Sequence, residues 1–256
     1  MPDHVIAVIP ARYASVRFPG KALAQIRGKA MIVRVLERVS QARGISRVVV
    51  ATDDLRIVAA VRAAGGEAVM TRTEHISGTE RMAEVAESLK ASLYLNVQGD
   101  EPLVQPAALE DLIAGMPATE TGPSDASVAT LATPIMDPLD AADPRVVKVV
   151  TDLAGNALLF SRAPIPYARD AQAPGEAKPG SDRPTQWKHL GVYLYRRDLL
   201  LKFPKLPPGR IEHLEMLEQL RLLEHGYKIR VVETPHDTIS VDVPSDVRRV
   251  EAALRE

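Results

Sequence analysis

The chain of 256 residues contains no cysteine. That excludes disulfides, thiolate metal ligands and cysteine nucleophiles together, and it suits a reducing compartment, although a count of zero also fits the periplasm. No apolar run approaches the roughly 18 residues needed to span a bilayer. The start, Met-Pro-Asp-His, leads straight into an apolar strand and not into a basic segment followed by a long apolar one, so the expected location is the cytoplasm, with no membrane partner. Charge of one sign is not in excess: 32 basic residues stand against 33 acidic ones, for a net charge of −1. Nucleic-acid binding through overall basicity is therefore not expected, and any basic site must be local. Internal repeats and low-complexity tracts are absent. What remains is 46% hydrophobic and 25% charged, the balance of a globular protein long enough to bury a sizeable core as one domain or a domain with a lobe.

The pattern of the first half is regular. Val5–Ile9 is a continuous apolar run ended by Pro10, as a buried parallel strand requires. Helical spacing follows over Ala30–Arg43, with Gly44 as a stop, then a β-branched run at Arg47–Ala51 closed by Thr52-Asp53-Asp54, which can cap a helix over Leu55–Ala64. A short strand at Glu67–Thr71, a helix at Gly78–Leu89 and a strand at Leu93–Val97 complete the series. Strands and helices alternating at this cadence predict an α/β fold with a mostly parallel sheet flanked by helices. Ligands in such sheets sit beyond the carboxyl ends of the strands, here the polar segments Arg12–Lys21, Thr52–Asp54 and Gln98–Glu101. After about Thr121 the pattern changes. Short strands are expected at Val128–Thr133, Val146–Thr151, Asn156–Phe160 and Gly191–Tyr195, with loops at Gly122-Pro123-Ser124 and Asp170–Pro184, and they read as a smaller antiparallel β-rich lobe set into the main domain. An amphipathic helix over Glu212–Glu224, with a leucine stripe inward and its glutamates mostly solvated, and a strand at Ile229–Glu233 return the chain to the main domain.

Three sets of residues can carry chemistry. Pro10–Lys21 holds three positive charges, Arg12, Arg17 and Lys21, with no acidic residue, and Gly20 stands beside Lys21. Fixed cations and exposed backbone N–H groups suit a triphosphate, while the alternative is a solvated basic loop. Neither a Walker A loop nor a Gly-x-Gly-x-x-Gly fingerprint is present. Asp100 ends the fourth strand and Asp242 precedes a helix. Two carboxylates facing a triphosphate suit Mg²⁺, but taken singly each reads more readily as a turn or cap residue. Arg162 and His189 lie at strand-like positions, where an exposed Arg can clamp a carboxylate, but a lone Arg or His is more often structural and spacing does not choose. No Ser/His/Asp triad, zinc-spaced histidines or Gly-x-Ser-x-Gly elbow is visible.

Taken in order, Pro10–Lys21 (PARYASVRFPGK), Val50–Asp54 (VATDD), Met70–Arg81 (MTRTEHISGTER), Asn96–Pro102 (NVQGDEP), Phe160–Pro166 (FSRAPIP), Lys188–Tyr195 (KHLGVYLY), Leu214–Arg221 (LEMLEQLR) and Val241–Pro244 (VDVP) resemble the 3-deoxy-manno-octulosonate (Kdo) cytidylyltransferases over essentially the whole chain. The resemblance implies a nucleotide-diphospho-sugar transferase-like fold, with 1–130 and 212–256 as the nucleotide-binding domain and 131–211 as a lobe for sugar binding and dimerisation. It implies transfer of CMP from CTP to Kdo for lipopolysaccharide biosynthesis, with Mg²⁺ held by Asp100 and Asp242. The nucleotide set it implies is Arg12, Ser15, Arg17, Lys21, Arg72, Ser77, Gly78, Thr79 and Arg81. The sugar set is Gln98, Arg162, His189, Tyr193 and Glu215, and the catalytic set Arg12, Lys21, Asp100 and Asp242. A homodimer is expected on the same ground. Two departures stand out: the proline- and charge-rich Asp170–Pro184, and Ile239-Ser-Val-Asp-Val-Pro where Gly-Val-Asp-Thr-Pro is expected. The rival readings are a cytidylyltransferase for another acidic sugar, such as a sialic acid or 8-amino-Kdo, and a silent nucleotide-binding module.

Overall fold

The computed structural model describes residues 4–15, 17–117, 126–167, 169 and 186–254. The loops expected at Gly122-Pro123-Ser124 and Asp170–Pro184 lie outside the described residues. The first half runs β1 (Val5–Ala11), a hairpin of β2 (Gln25–Ile26) and β3 (Lys29–Ala30), α1 (Met31–Val39), β4 (Ile45–Thr52), α2 (Leu55–Ala63), β5 (Glu67–Met70), α3 (Gly78–Ser88), β6 (Leu93–Asn96) and α4 (Pro106–Gly115). The second runs β7 (Val128–Pro134), α5 (Pro138–Ala142), β8 (Lys148–Thr151), β9 (Ala157–Ser161), β10 (Trp187–Arg196), α6 (Arg197–Lys202), α7 (Arg210–Glu215), α8 (Leu220–Glu224), β11 (Ile229–Glu233) and α9 (Asp246–Ala253).

Burial of β1 along its whole length follows from its unbroken apolar run. Its pleat sends Val5, Ala7 and Ile9 toward α1 and α4, and Ile6 and Val8 toward α3 and α6, so one strand anchors both cores. Around it the sheet order is β11-β7-β10-β6-β1-β4-β5. Strands β6, β1, β4 and β5 are mutually parallel, as are β11 and β7, and β10 runs against β6 and β7. The polar segments following β1, β4 and β6 thus emerge at one end of the sheet. Local signals set the boundaries. Asp54 caps α2 by accepting from the Arg56 N–H at 2.9 Å, and Ser77 caps α3 by accepting from the Glu80 N–H at 3.2 Å. The helix expected to reach Arg43 ends at Val39, where turns lead to Gly44 at φ 85°.

Two expectations need correction. The strands expected at 128–133 and 191–195 as part of the lobe hydrogen-bond instead into the main sheet. Among the described residues of this stretch, β8 and β9 stand off, joined to β10 at Trp187 and Lys188 and to β11 by a bridge from Asn156 to Arg230. Ten residues long, β10 serves both by means of a bulge: Leu190 faces Leu131 and Tyr193 faces Thr130, so Gly191 and Val192 have no opposite residue. The second correction concerns Glu212–Glu224. Instead of one helix there are two, broken at Met216, which adopts φ 52° and ψ 47°. The break turns Leu217 and Leu220 inward and leaves Leu214 73% exposed. It also buries Glu212, expected in solvent: its carboxylate accepts two hydrogen bonds from Arg221, at 2.9 and 2.6 Å, with both side chains nearly sealed.

Candidate active site

After β1 the chain folds back on itself. The Tyr13 carbonyl accepts from the N–H groups of Ser15 and Gly20, at 2.9 and 3.0 Å, and Gly20 takes a left-handed φ of 70° that brings Lys21 inward. Gly99 closes against this loop so tightly that a Cβ there would stand 2.9 Å from the Pro10 carbonyl oxygen. The two strand-end segments therefore meet, and between them lies a cleft of about 310 Å³. Arg12, Ser15, Arg17 and Lys21 line it from the basic loop, Ser77, Gly78 and Arg81 from α3, and Gln98, Asp100 and Asp242 complete it.

Lys21 is the electrostatic centre. Its ammonium pairs with Asp100, lies 3.9 Å from an Asp242 oxygen and donates to the Val241 carbonyl at 2.9 Å. The exposed Arg17 donates to Asp242 at 3.0 Å. Asp100 and Asp242, far apart in sequence, thus converge on one cation, and the Val241 N–H donates to the Asp100 carbonyl at 2.9 Å to fix their approach. No cluster of three or more metal-binding side chains is assembled among the described residues. Two carboxylates that leave the remaining positions to water and phosphate are the donor set Mg²⁺ takes at nucleotide sites. Arg12 has no carboxylate partner among the described residues and stays available to an anion.

Two residues of the expected nucleotide set lie outside this cleft. Arg72 is exposed and pairs with Glu84 at 3.4 Å. Thr79 is buried and donates to Glu218 at 2.7 Å. Arg81 does reach the cleft, but it is only 4% exposed and is pinned by Asp53 at 2.8 Å and by Thr71. It shapes the cleft more than it offers a free charge. His75, which no motif singled out, also lines the cleft and is held by Glu84.

A second cleft, of about 490 Å³, adjoins the first and shares Gln98 and Asp242 with it. His189 and Tyr193 of β10 line it, and Arg162 lies at its edge. Burial pushes the His189 pKa down to about 3, so the imidazole is neutral. Thr130 donates to the Val192 carbonyl at 2.8 Å and so accepts from His189 Nε2–H at 3.0 Å, which leaves Nδ1 as an acceptor. Burial likewise raises the Tyr193 hydroxyl and keeps it a donor. Arg162 is anchored, donating to the carbonyls of Glu215 at 2.8 Å and Pro144 at 3.0 Å. Glu215 does not line the cleft: its carboxylate accepts from Ser161 Oγ at 2.5 Å and the Arg162 N–H at 3.0 Å, which ties α7 to β9. The cleft-facing pair is Glu218 and Gln219, whose Oε1 and Nε2 are buried without partners. Burial raises the Glu218 pKa against the opposing pull of the Ser77 and Thr79 hydroxyls. Glu101 and Lys188 also face this cleft. Burial, with the neighbouring Asp100 charge, lifts Glu101 to about 8, and it accepts from Thr238 at 2.8 Å.

A cationic cleft at the carboxyl ends of parallel strands, two convergent carboxylates and an adjoining polar cleft define a nucleotidyltransferase. The cytidylyltransferase family profile matches residues 6–229. The chain is 51% identical to the 3-deoxy-manno-octulosonate cytidylyltransferase of Syntrophotalea carbinolica over 98% of both chains. It is 49% identical to that of Geobacter sulfurreducens, over 98% of this chain and all of the other. A solved CMP:2-keto-3-deoxy-manno-octonic acid synthetase complexed with CTP superposes with a TM-score of 0.87 at 44% identity, covering 98% of each chain. At 13% identity, a 4-diphosphocytidyl-2C-methyl-D-erythritol synthase from Anaerococcus prevotii shares the fold, with a TM-score of 0.62 over the whole of both chains. The chain belongs to the 3-deoxy-manno-octulosonate cytidylyltransferases.

Proposed function

We infer that the chain transfers CMP from CTP to the anomeric hydroxyl of Kdo, releasing pyrophosphate, and that the reaction serves lipopolysaccharide assembly in the cytoplasm, where CTP is available. The observation that carries this reading is the junction of a cationic cleft with a hydroxyl-matching one at Gln98 and Asp242. The triphosphate fits the first cleft, with Arg12, Arg17 and Lys21 opposing the charge that accumulates on the leaving pyrophosphate. Kdo fits the second, where His189 Nδ1 and Glu218 Oε1 accept from hydroxyls and Tyr193 and Gln219 donate to them. Lys188 and Arg162 supply positive charge near the sugar carboxylate.

Asp100 and Asp242 are the residues suited to hold Mg²⁺, which when bound screens phosphate charge and polarises the reacting oxygens. Lys21 then exchanges its carboxylate partners for phosphate oxygens. Asp100→Asn is expected to lower turnover at least a hundredfold, with the melting temperature close to the parent's. Pyrophosphate release, measured with each nucleoside triphosphate against a panel of acidic sugars and across Mg²⁺ concentrations, tests both claims. Parent-like turnover in the variant would remove the metal assignment, and release only with a sialic acid would move the substrate. We also propose a homodimer, supported by apolar side chains left in solvent on β9 and α7.

A further inference from the structure

Thr79 occupies an unexpected place. It is the second residue of α3, directly after Ser77 and Gly78 of the nucleotide cleft, yet it is 3% exposed and lines neither cleft. Its hydroxyl donates to Glu218 Oε2 at 2.7 Å. Glu218 itself lines the second cleft, and its other oxygen, Oε1, is buried with no partner. Beside it Gln219 Nε2 is a buried donor with none. An acceptor and a donor left open side by side match the hydroxyls of a sugar, each of which both gives and takes a hydrogen bond. A carboxylate free to rotate would present either oxygen. One held through Oε2 presents a single acceptor at a fixed point.

We propose that Thr79 is a positioning residue for the acceptor sugar and not a nucleotide ligand: its hydroxyl locks Glu218 so that Oε1 is the acceptor offered to the second cleft. The assignment rests on the reading of that cleft as the sugar site. It also gives one end of α3 a part in both subsites: Ser77 and Gly78 line the nucleotide cleft, while the Ser77 and Thr79 hydroxyls both act on the Glu218 carboxylate of the second.

The test is steady-state kinetics of Thr79→Val, which removes the hydroxyl at nearly constant volume, beside Thr79→Ser, which keeps it. The expected result for valine is a rise of about tenfold in the KM for Kdo, the cost of one lost hydrogen bond to a charged group. The KM for CTP should stay within twofold, and serine should restore the parent value. Where valine does not fold, as judged by its melting curve, alanine takes its place. A rise in the KM for CTP, alone or together with that for Kdo, overturns the assignment, as does no change in either. Absence of product from the parent protein with Kdo overturns the reading of the second cleft, and this inference with it.

Discussion

The His189 imidazole is enclosed between Phe160 and Tyr193, with ring centroids 4.9 and 5.4 Å away, and burial pushes its pKa down to about 3. In the unfolded chain it titrates near 6.5, so between these values the unfolded state binds a proton that the folded state does not. Stability therefore falls as the pH drops from about 6.5 toward 3, by roughly 1.4 kcal/mol per pH unit from this residue. His189→Gln should lose less stability than the parent between pH 7 and pH 5, by about 2 kcal/mol, as read from urea midpoints. Equal losses in the two proteins would contradict a buried neutral histidine. At this scale the legible residues were those whose chemistry follows from local sequence. Arg12, Arg17 and Lys21 form a basic loop after a buried strand, Asp100 follows β6 and Asp242 precedes α9. Glu215 and Thr79 line neither cleft, because motif membership says which residues are near a site but not which way a side chain turns. The choice between Glu215 and Glu218 depends on a single left-handed residue, Met216, that no spacing rule announces.

Among the elements, α7 and α8 hold together through Glu212 and Arg221, whose side chains are 11% and 5% exposed. Arg221 also lies over the Phe203 ring, 4.7 Å from its centroid, so the pair joins this corner to the core beneath α3 and α6. Glu212→Ala leaves a guanidinium buried without its counter-charge and should cost about 3–5 kcal/mol in denaturant unfolding. Replacing both partners, Glu212→Leu with Arg221→Met, should recover most of that loss. No recovery would mean that the carboxylate's other bond, to the Gly209 N–H at 3.1 Å, matters more than the pair. Strand β1 was legible because burial on both faces reads as an unbroken apolar run, and the edge strand β5 through its place in the alternation of strands and helices. The Glu212–Glu224 stretch was not, because leucines at helical spacing fit one continuous helix as well as two short ones. Long-range burial of Glu212, which the local pattern cannot carry, decides between them.

For the whole molecule, Leu158 on β9, Leu214 on α7 and the adjacent Met216 are 63%, 73% and 76% exposed. Arg162, next after β9, binds the carbonyls of Glu215 and Met216 and so holds these segments together. If this apolar face is the dimer contact, Leu158→Asp with Leu214→Asp should sediment as a monomer while the parent sediments as a dimer, and CTP binding should persist. A monomeric parent would remove the proposal. The bulge in β10 has a consequence for chain length. Leu190, Val192 and Leu194 pack into one core while His189, Gly191, Tyr193 and Tyr195 border the second cleft, and the alternation survives the bulge because it adds two residues and not one. A single inserted or deleted residue at Gly191 would send the tyrosines into the aliphatic core and the aliphatics into the cleft. Insertions here are thus tolerable only in pairs, so the residue count of this one strand carries a parity that the chemistry of the second cleft depends on.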